Sequence, residues 1–156
     1  MIFVTVGTQL SFPRLVGIVD RWASESSTKV IAQVFDDTNV YSNIQVLEHA
    51  NQEEYTTLIK SSTCIVSHAG MGSIITALEY KKPIILLPRE LRYSEHRNDH
   101  QLSTVQSFSN TAGIYVALDE SELINLLNEN ENENLKCGSL TKSDELIRLC
   151  DFIKCY

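Results

Sequence analysis

Thr63-Cys64-Ile65-Val66-Ser67-His68-Ala69-Gly70-Met71-Gly72-Ser73 opens with a β-branched and apolar run, passes through a polar tip and two closely spaced glycines, and ends where a helical pattern begins. Thr63–Val66 is short and apolar, as a buried strand is. Ser73 to Tyr80 carries a helix pattern that stops before Pro83, since proline disfavours helix in the residue before it. A strand running through glycines into a helix is the βα half of a parallel βαβ unit.

The flanking sequence repeats this unit. Upstream, Ile2–Val6 is a β-branched strand that turns at Gly7-Thr8-Gln9, and Phe12–Ala23 is a helix with Pro13 tolerated in its first turn. Lys29–Phe35 is a second strand, Asp36–Asn43 a polar loop and Ile44–Leu47 a short strand. Asn51–Lys60 has an Asn cap and acidic residues in its first turn, both helix-start signals. Downstream, Pro83–Leu87 is a buried strand, Pro88–Glu95 a charged loop and His96–Phe108 a helix. Gly113–Leu118 is a last strand, followed by a helix over Asp119–Asn128 with Asp119 or Ser121 as cap. The run Glu129–Asn134 is a solvated turn or frayed helix end within a loop over 128–140. A C-terminal amphipathic helix is expected over 142–154, with Leu146, Ile147, Leu149, Cys150 and Ile153 apolar.

Strands alternating with helices predict an α/β fold: a single Rossmann-like domain over 1–156, with a mostly parallel sheet covered by helices on both faces. The length of 156 residues suits one domain and a sizeable core. The net charge of −7 argues against a nucleic-acid backbone as ligand, because such ligands need a clustered basic surface. A small phosphate is compatible with it, since a helix N-terminus holds one without net positive charge. The four cysteines form no CxxC pair, which gives no support to a zinc ribbon or a thioredoxin-like site. Met1 leads into a strand without a basic leader, and no apolar stretch approaches the ~18–20 residues that span a bilayer. A cytoplasmic protein is expected.

Ligands of parallel sheets sit at the carboxyl ends of strands. Two such ends carry glycine here, Val6-Gly7 and Val66 to Gly70. At the second, Gly70 and Gly72 let the backbone approach a ligand closely. The first N–H groups of the following helix lack internal partners and carry partial positive charge. With Ser73 and His68 they describe a diphosphate cradle without a lysine. The same residues also describe a glycine turn with a serine cap. The pattern is not GxxxxGK[ST], so ATP or GTP hydrolysis has no support, and no G-x-G-x-x-G follows the first strand.

Glu95-His96-Arg97-Asn98-Asp99-His100-Gln101 lies past the next strand end, near the same crevice, and its donors and acceptors suit sugar hydroxyls. On a helix, His96 and His100 stand at i, i+4 on one face, a spacing that also allows a metal. No third ligand is evident and the HExxH glutamate is absent.

Three ordered motifs carry a resemblance: Ile2-Phe3-Val4-Thr5-Val6-Gly7-Thr8, His68-Ala69-Gly70-Met71-Gly72-Ser73 and His96-Arg97-Asn98-Asp99-His100-Gln101. Over about Met1 to Ala117 the chain resembles the donor-binding half of GT-B glycosyltransferases of family 28. It is similar to the peptidoglycan N-acetylglucosaminyltransferase and to the soluble subunit of the dolichol-linked N-acetylglucosamine transferase. It is most like split bacterial transferases of capsule and exopolysaccharide synthesis.

The resemblance implies an inverting transfer of a hexose from a UDP-sugar to a lipid-linked acceptor, without a divalent metal or other cofactor. A membrane-associated partner would supply the acceptor half and recruit the chain to the inner face of the membrane. The apolar face of the C-terminal helix is a candidate contact for that partner, or else packs on the chain's own sheet. His68, Gly70, Gly72 and Ser73 would meet the diphosphate, and His100 and Gln101 the sugar hydroxyls. Gly7, Thr8, Met71, Arg89, His96 and Asn98 complete the expected substrate-binding set. Related transferases carry a ribose-binding glutamate six residues after the first loop glycine. Thr76 stands there in this chain, and Glu79, three residues on, shares its helix face. A non-catalytic nucleotide-sugar-binding or regulatory module is the alternative; a stand-alone nucleotide-sugar hydrolase or epimerase would need no partner.

Overall fold

A computed structural model describes residues 1–35, 37–97 and 100–138. Asn98 and the helix expected over 142–154, with Cys150, lie outside them. The described chain alternates strands and helices: β1 (Ile2–Thr5), α1 (Pro13–Ala23), β2 (Val30–Gln33), β3 (Gln45–Leu47), α2 (Gln52–Ser61), β4 (Cys64–Ser67), α3 (Met71–Glu79), β5 (Ile84–Leu86), α4 (His100–Phe108), β6 (Ile114–Val116) and α5 (Glu120–Glu131). A short 3-10 turn, Leu91–Tyr93, interrupts the loop after β5.

The six strands form one sheet in the order β3-β2-β1-β4-β5-β6, and every pair is parallel. The expected mostly parallel sheet is therefore entirely parallel among the described residues. Because side chains alternate across a strand, neighbouring residues enter opposite cores. Ile2, Val4, Cys64 and Val66 face one layer with Leu15, Val19 and Trp22 of α1 and Leu123 and Leu127 of α5. Phe3, Ile65, Ile84 and Leu86 face the other, with Ile59 of α2, Ile74 and Leu78 of α3, and Val105 and Phe108 of α4. Each fully buried aliphatic side chain contributes roughly 1.5–3 kcal/mol.

Helix ends follow local chemistry where it is strong. Asn51 caps α2 in a capping box: its side chain accepts from the Glu53 and Glu54 N–H groups, and Glu54 accepts from the Asn51 N–H. Asp119 caps α5 by accepting from the Glu122 N–H at 2.9 Å. Three boundaries differ from expectation. α3 begins at Met71 rather than Ser73, because Gly70 takes the extended N-cap conformation and places Gly72 inside the first turn. α5 continues to Glu131, past the expected end at Asn128, so residues 129–131 are a helix end rather than a solvated turn. Three remote contacts hold that last turn: Trp22 Nε1 donates to Asn128 at 2.8 Å, and Ser26 Oγ and Thr28 Oγ1 both donate to Glu131, the latter at 3.0 Å. The third is α4, which spans His100–Phe108, with His96 and Arg97 in a bend before it.

Candidate functional site

β1 and β4 are adjacent while their connections leave in opposite directions, α1 toward β2 and α3 toward β5. That reversal leaves a crevice at the carboxyl ends of the two strands. A cleft of about 500 Å³ occupies it, walled by the loops after β1, β4 and β5 and by α2.

His68 is the central side chain of the floor. Its ring lies between two glycines. A Cβ on Gly7 would stand 2.8 Å from its Cε1, and a Cβ on Gly70 would overlap its Nε2. Gly7 has φ +83°, a left-handed conformation that favours glycine. Ser67 Oγ donates to the Thr5 carbonyl at 2.9 Å and lies 3.3 Å from His68 Nδ1. With its own proton committed, Ser67 Oγ accepts, so Nδ1 carries the imidazole proton. Burial, with Arg89 and His96 nearby, pushes the His68 pKa down to about 4. The ring is neutral at pH 7.

Above it α3 begins. Ile74 is the first residue whose N–H bonds within the helix, to Gly70 O at 3.2 Å. The N–H groups of Met71, Gly72 and Ser73 are thus the donors of the helix start that find no partner among the described residues. A Cβ on Gly72 would meet nothing within 4 Å, so this turn is open on the cleft side.

Gln101 and Arg89 tie the three loops together. Gln101 is buried, and its Oε1 accepts from the Ala69 N–H at 3.1 Å and the Arg89 N–H at 2.9 Å. Arg89 is 2% exposed. Its guanidinium donates to the carbonyls of Ser11 at 2.6 Å, Leu10 at 2.7 Å and Val6 at 3.1 Å, and stacks on Phe12 at 4.4 Å. Burial pushes its pKa down to about 10, which leaves it a cation at neutral pH. The nearby carboxylates are engaged elsewhere. Glu95 accepts from Arg14 at 2.6 and 2.8 Å, and Glu90 pairs with Arg92 at 2.6 Å.

The cleft brings together Gly7, Thr8, His68, Gly70, Met71, Gly72, Ser73, Thr76, Arg89, His96 and Gln101. Two expected residues stand apart. Glu79 is exposed at the end of α3 and does not line the cleft, so it does not replace a carboxylate at Thr76. His100 is exposed too, because adjacent residues of a helix face different ways and Gln101 takes the inward face. Arg89 lines the cleft, but with its guanidinium spent on loop carbonyls rather than held out to a substrate. His96 precedes α4, so the i, i+4 pairing with His100 does not form on one helix. Among the described residues no group of three or more His, Cys, Asp or Glu is placed to hold a metal.

Sequence reasoning missed the wall across from α3. Thr5 and Gln33, at the ends of β1 and β2, are buried and bonded to each other at 2.8 Å. Tyr55 of α2 packs edge-on against Phe3 at 5.5 Å and lines the cleft with Thr5 and Ser73. Burial pushes its phenol up, so it stays protonated at neutral pH. The available signal was a polar residue closing a buried strand, Thr5 or Gln33.

A family profile described as the glycosyltransferase family 28 C-terminal domain matches residues 1–149. Over 92 residues the chain is 32% identical to the UDP-N-acetylglucosamine transferase subunit ALG13 of Candida albicans, a match covering 58% of this chain and 29% of that protein. A solution structure of ALG13 superposes with a TM-score of 0.61 at 19% identity, covering 87% of each chain. MurG of Acinetobacter baumannii superposes at 0.62 with 12% identity, over 86% of this chain and 42% of its own. Os79 of O. sativa, solved in complex with UDP, gives 0.62 with 14% identity, over 85% and 33%. These structures share the parallel-sheet fold, and the profile match spans nearly the whole sequence. The chain belongs to the glycosyltransferase family 28 C-terminal domain family.

Proposed function

We propose that the cleft holds the diphosphate of a UDP-sugar, as the donor side of an inverting transfer of a hexose to a lipid-linked acceptor in cell-surface polysaccharide assembly. One observation carries this reading. The chain has 20 Asp and Glu residues and a net charge of −7, yet none of the described residues lining the cleft is Asp or Glu. The charge among the described lining residues is that of Arg89 and the positive end of α3. Such a site attracts an anion. The relative described as a UDP-N-acetylglucosamine transferase subunit supports uridine as the nucleotide.

In this reading the N–H groups of Met71, Gly72 and Ser73 take the diphosphate oxygens. They stabilise the negative charge that grows on the leaving group as the anomeric bond breaks. Fixed dipoles do this without reorganising during the reaction. His68, neutral with its proton on Nδ1, shapes the floor and is a weak base at about pKa 4. None of the described lining residues is a carboxylate that could deprotonate an acceptor hydroxyl. In this reading a membrane-associated partner supplies the base and the acceptor wall, and the word subunit in that relative's description supports it. The described lining residues are a poor donor set for Mg²⁺, so UDP binding is expected to survive EDTA.

A second reading, a nucleotide-sugar-binding module without chemistry, has one observation in its favour. Thr76 Oγ1 donates back to Gly72 O at 2.8 Å, and none of the described lining residues is a carboxylate that could replace it toward a ribose. Calorimetry with UDP, UDP-sugars and ATP, followed by transfer assays with and without the partner, separates the readings. UDP binding together with partner-dependent transfer is expected. Absence of UDP binding at millimolar ligand, or equal binding of ATP, would refute the donor site. UDP binding with no transfer in the complex would favour the second reading.

A further inference from the structure

The loop after β1 is an unusual wall for a binding site. Residues 7–11 make no backbone–backbone hydrogen bond among the described residues. The Phe12 side chain makes no cap bond to the start of α1. The remaining ties to Gly7 are long: its N–H to Thr5 Oγ1 and its carbonyl from Gln33 Nε2, both at 3.4 Å. Yet Gly7, Thr8, Gln9 and Leu10 all line the cleft. A loop with so few bonds of its own samples many conformations unless something else fixes it.

The short bonds come from Arg89. One guanidinium spans the carbonyls of Val6, Leu10 and Ser11, at the two ends of the loop. Phe12 supports its face, and its own backbone N–H is fixed through Gln101 to the loop that carries His68. A planar fork with several donors can span three acceptors at once, which a single ammonium cannot do.

We infer that Arg89 is a positioning residue that holds the β1–α1 loop as a preformed wall of the diphosphate site, acting through the loop carbonyls rather than by contact with the ligand. The inference rests on the donor reading above for the identity of the ligand, but not for the state of the loop.

Charge and geometry separate in two variants. Arg89→Gln removes both, while Arg89→Lys keeps the charge and loses the fork. If Arg89 positions the loop, the backbone amide order parameters of residues 7–11 fall from near the rigid value of about 0.85 to below about 0.6 in both variants. Hydrogen-exchange protection of β1 and β4 is retained. UDP affinity falls on the order of tenfold or more in both, and uridine affinity falls less, since the loop faces the phosphates. If Arg89→Lys binds UDP as tightly as the original chain with unchanged loop order parameters, the role is one of charge and the inference is overturned. Unchanged loop order parameters in Arg89→Gln overturn it as well. Should the variants lose protection throughout, the unaltered protein still decides. Arg89 Nη protons held on carbonyls exchange slowly and give separate resonances in the free chain, and rapidly averaged Nη signals would sink the idea. A chain that fails to bind UDP while showing slow Nη exchange would overturn the donor reading and leave the loop assignment standing.

Discussion

Glycine-to-alanine exchange at two positions two residues apart should have opposite effects on stability and the same effect on binding. At Gly70 a Cβ would overlap the His68 ring, which is already confined on its other side by Gly7. The ring must leave its slot or the β4–α3 turn must shift, an overpacking cost of ~1–3 kcal/mol. Alanine is also a poorer N-cap than glycine by a few tenths of a kcal/mol or more. Reduced freedom of the unfolded chain returns about 0.4–1 kcal/mol. The net expectation for Gly70→Ala is a loss of ~1–3 kcal/mol. At Gly72, inside the first turn of α3, a Cβ meets nothing within 4 Å. Alanine gains there from helix propensity, up to ~1 kcal/mol, so Gly72→Ala should be neutral or more stable. Its methyl, however, enters the space beside the unpaired N–H groups. UDP affinity should fall at least tenfold, about 1.4 kcal/mol. Urea unfolding and UDP calorimetry read both quantities. A double-mutant cycle of Gly70→Ala with His68→Ala isolates the clash, and a coupling of ~1–3 kcal/mol is expected. Coupling near zero would refute the slot. A destabilised Gly72→Ala, or one binding UDP normally, would refute the open turn.

Two further expectations follow from side chains of the same region. His68 has a folded pKa of about 4 against an ordinary 6.5, so on acidification the unfolded chain takes up this proton first. Its contribution is complete above pH ~6.5 and is lost as pH falls toward 4. A His68→Gln variant should therefore lose less stability over that interval, by up to ~3 kcal/mol; parallel urea-unfolding profiles for the two chains would contradict this. Glu95→Gln should cost ~1–3 kcal/mol in thermal or urea unfolding. It discharges the half-buried bidentate partner of Arg14 and weakens the acceptor of the Glu90 N–H. A loss below ~0.3 kcal/mol would make the pair an ordinary surface contact.

The sheet was legible because its strands are short β-branched runs buried on both faces, and that pattern survives any tertiary arrangement. Ile2 to Thr5, Cys64 to Ser67 and Ile84 to Leu86 fall inside or within one residue of the expected strands. Boundaries failed where a remote partner decides them. Glu129-Asn130-Glu131 reads as solvated low complexity, yet Glu131 accepts from Ser26 and Thr28, more than a hundred residues earlier in the chain. The start of α3 failed for a different reason. Two glycines lower helix propensity, and the reading placed both outside the helix, whereas the packing of Ile74, Ala77 and Leu78 on the sheet outweighs the cost of Gly72.

The site was legible as two polar segments but not as a geometry. His96 to Gln101 looks like one hydrogen-bonding surface in sequence. Folding then separates its neighbours: Gln101 turns inward to two backbone amides, and His100 turns outward. Arg89 shows the limit most plainly. A charged residue in a charged loop reads as solvated, or as a hand held out to a phosphate. Its partners are carbonyls 78 to 83 residues earlier, and nothing local announces them. Burial of its charge is tolerable because polar bonds replace lost water. Among the described residues of that loop, Glu95 bonds to Arg14 and Glu90 to Arg92, so neither carboxylate bonds directly to Arg89, although its guanidinium feels the charge of Glu95. Both carboxylates are thus tied to arginines outside the cleft lining while Arg89 belongs to it, in a chain whose net charge is −7.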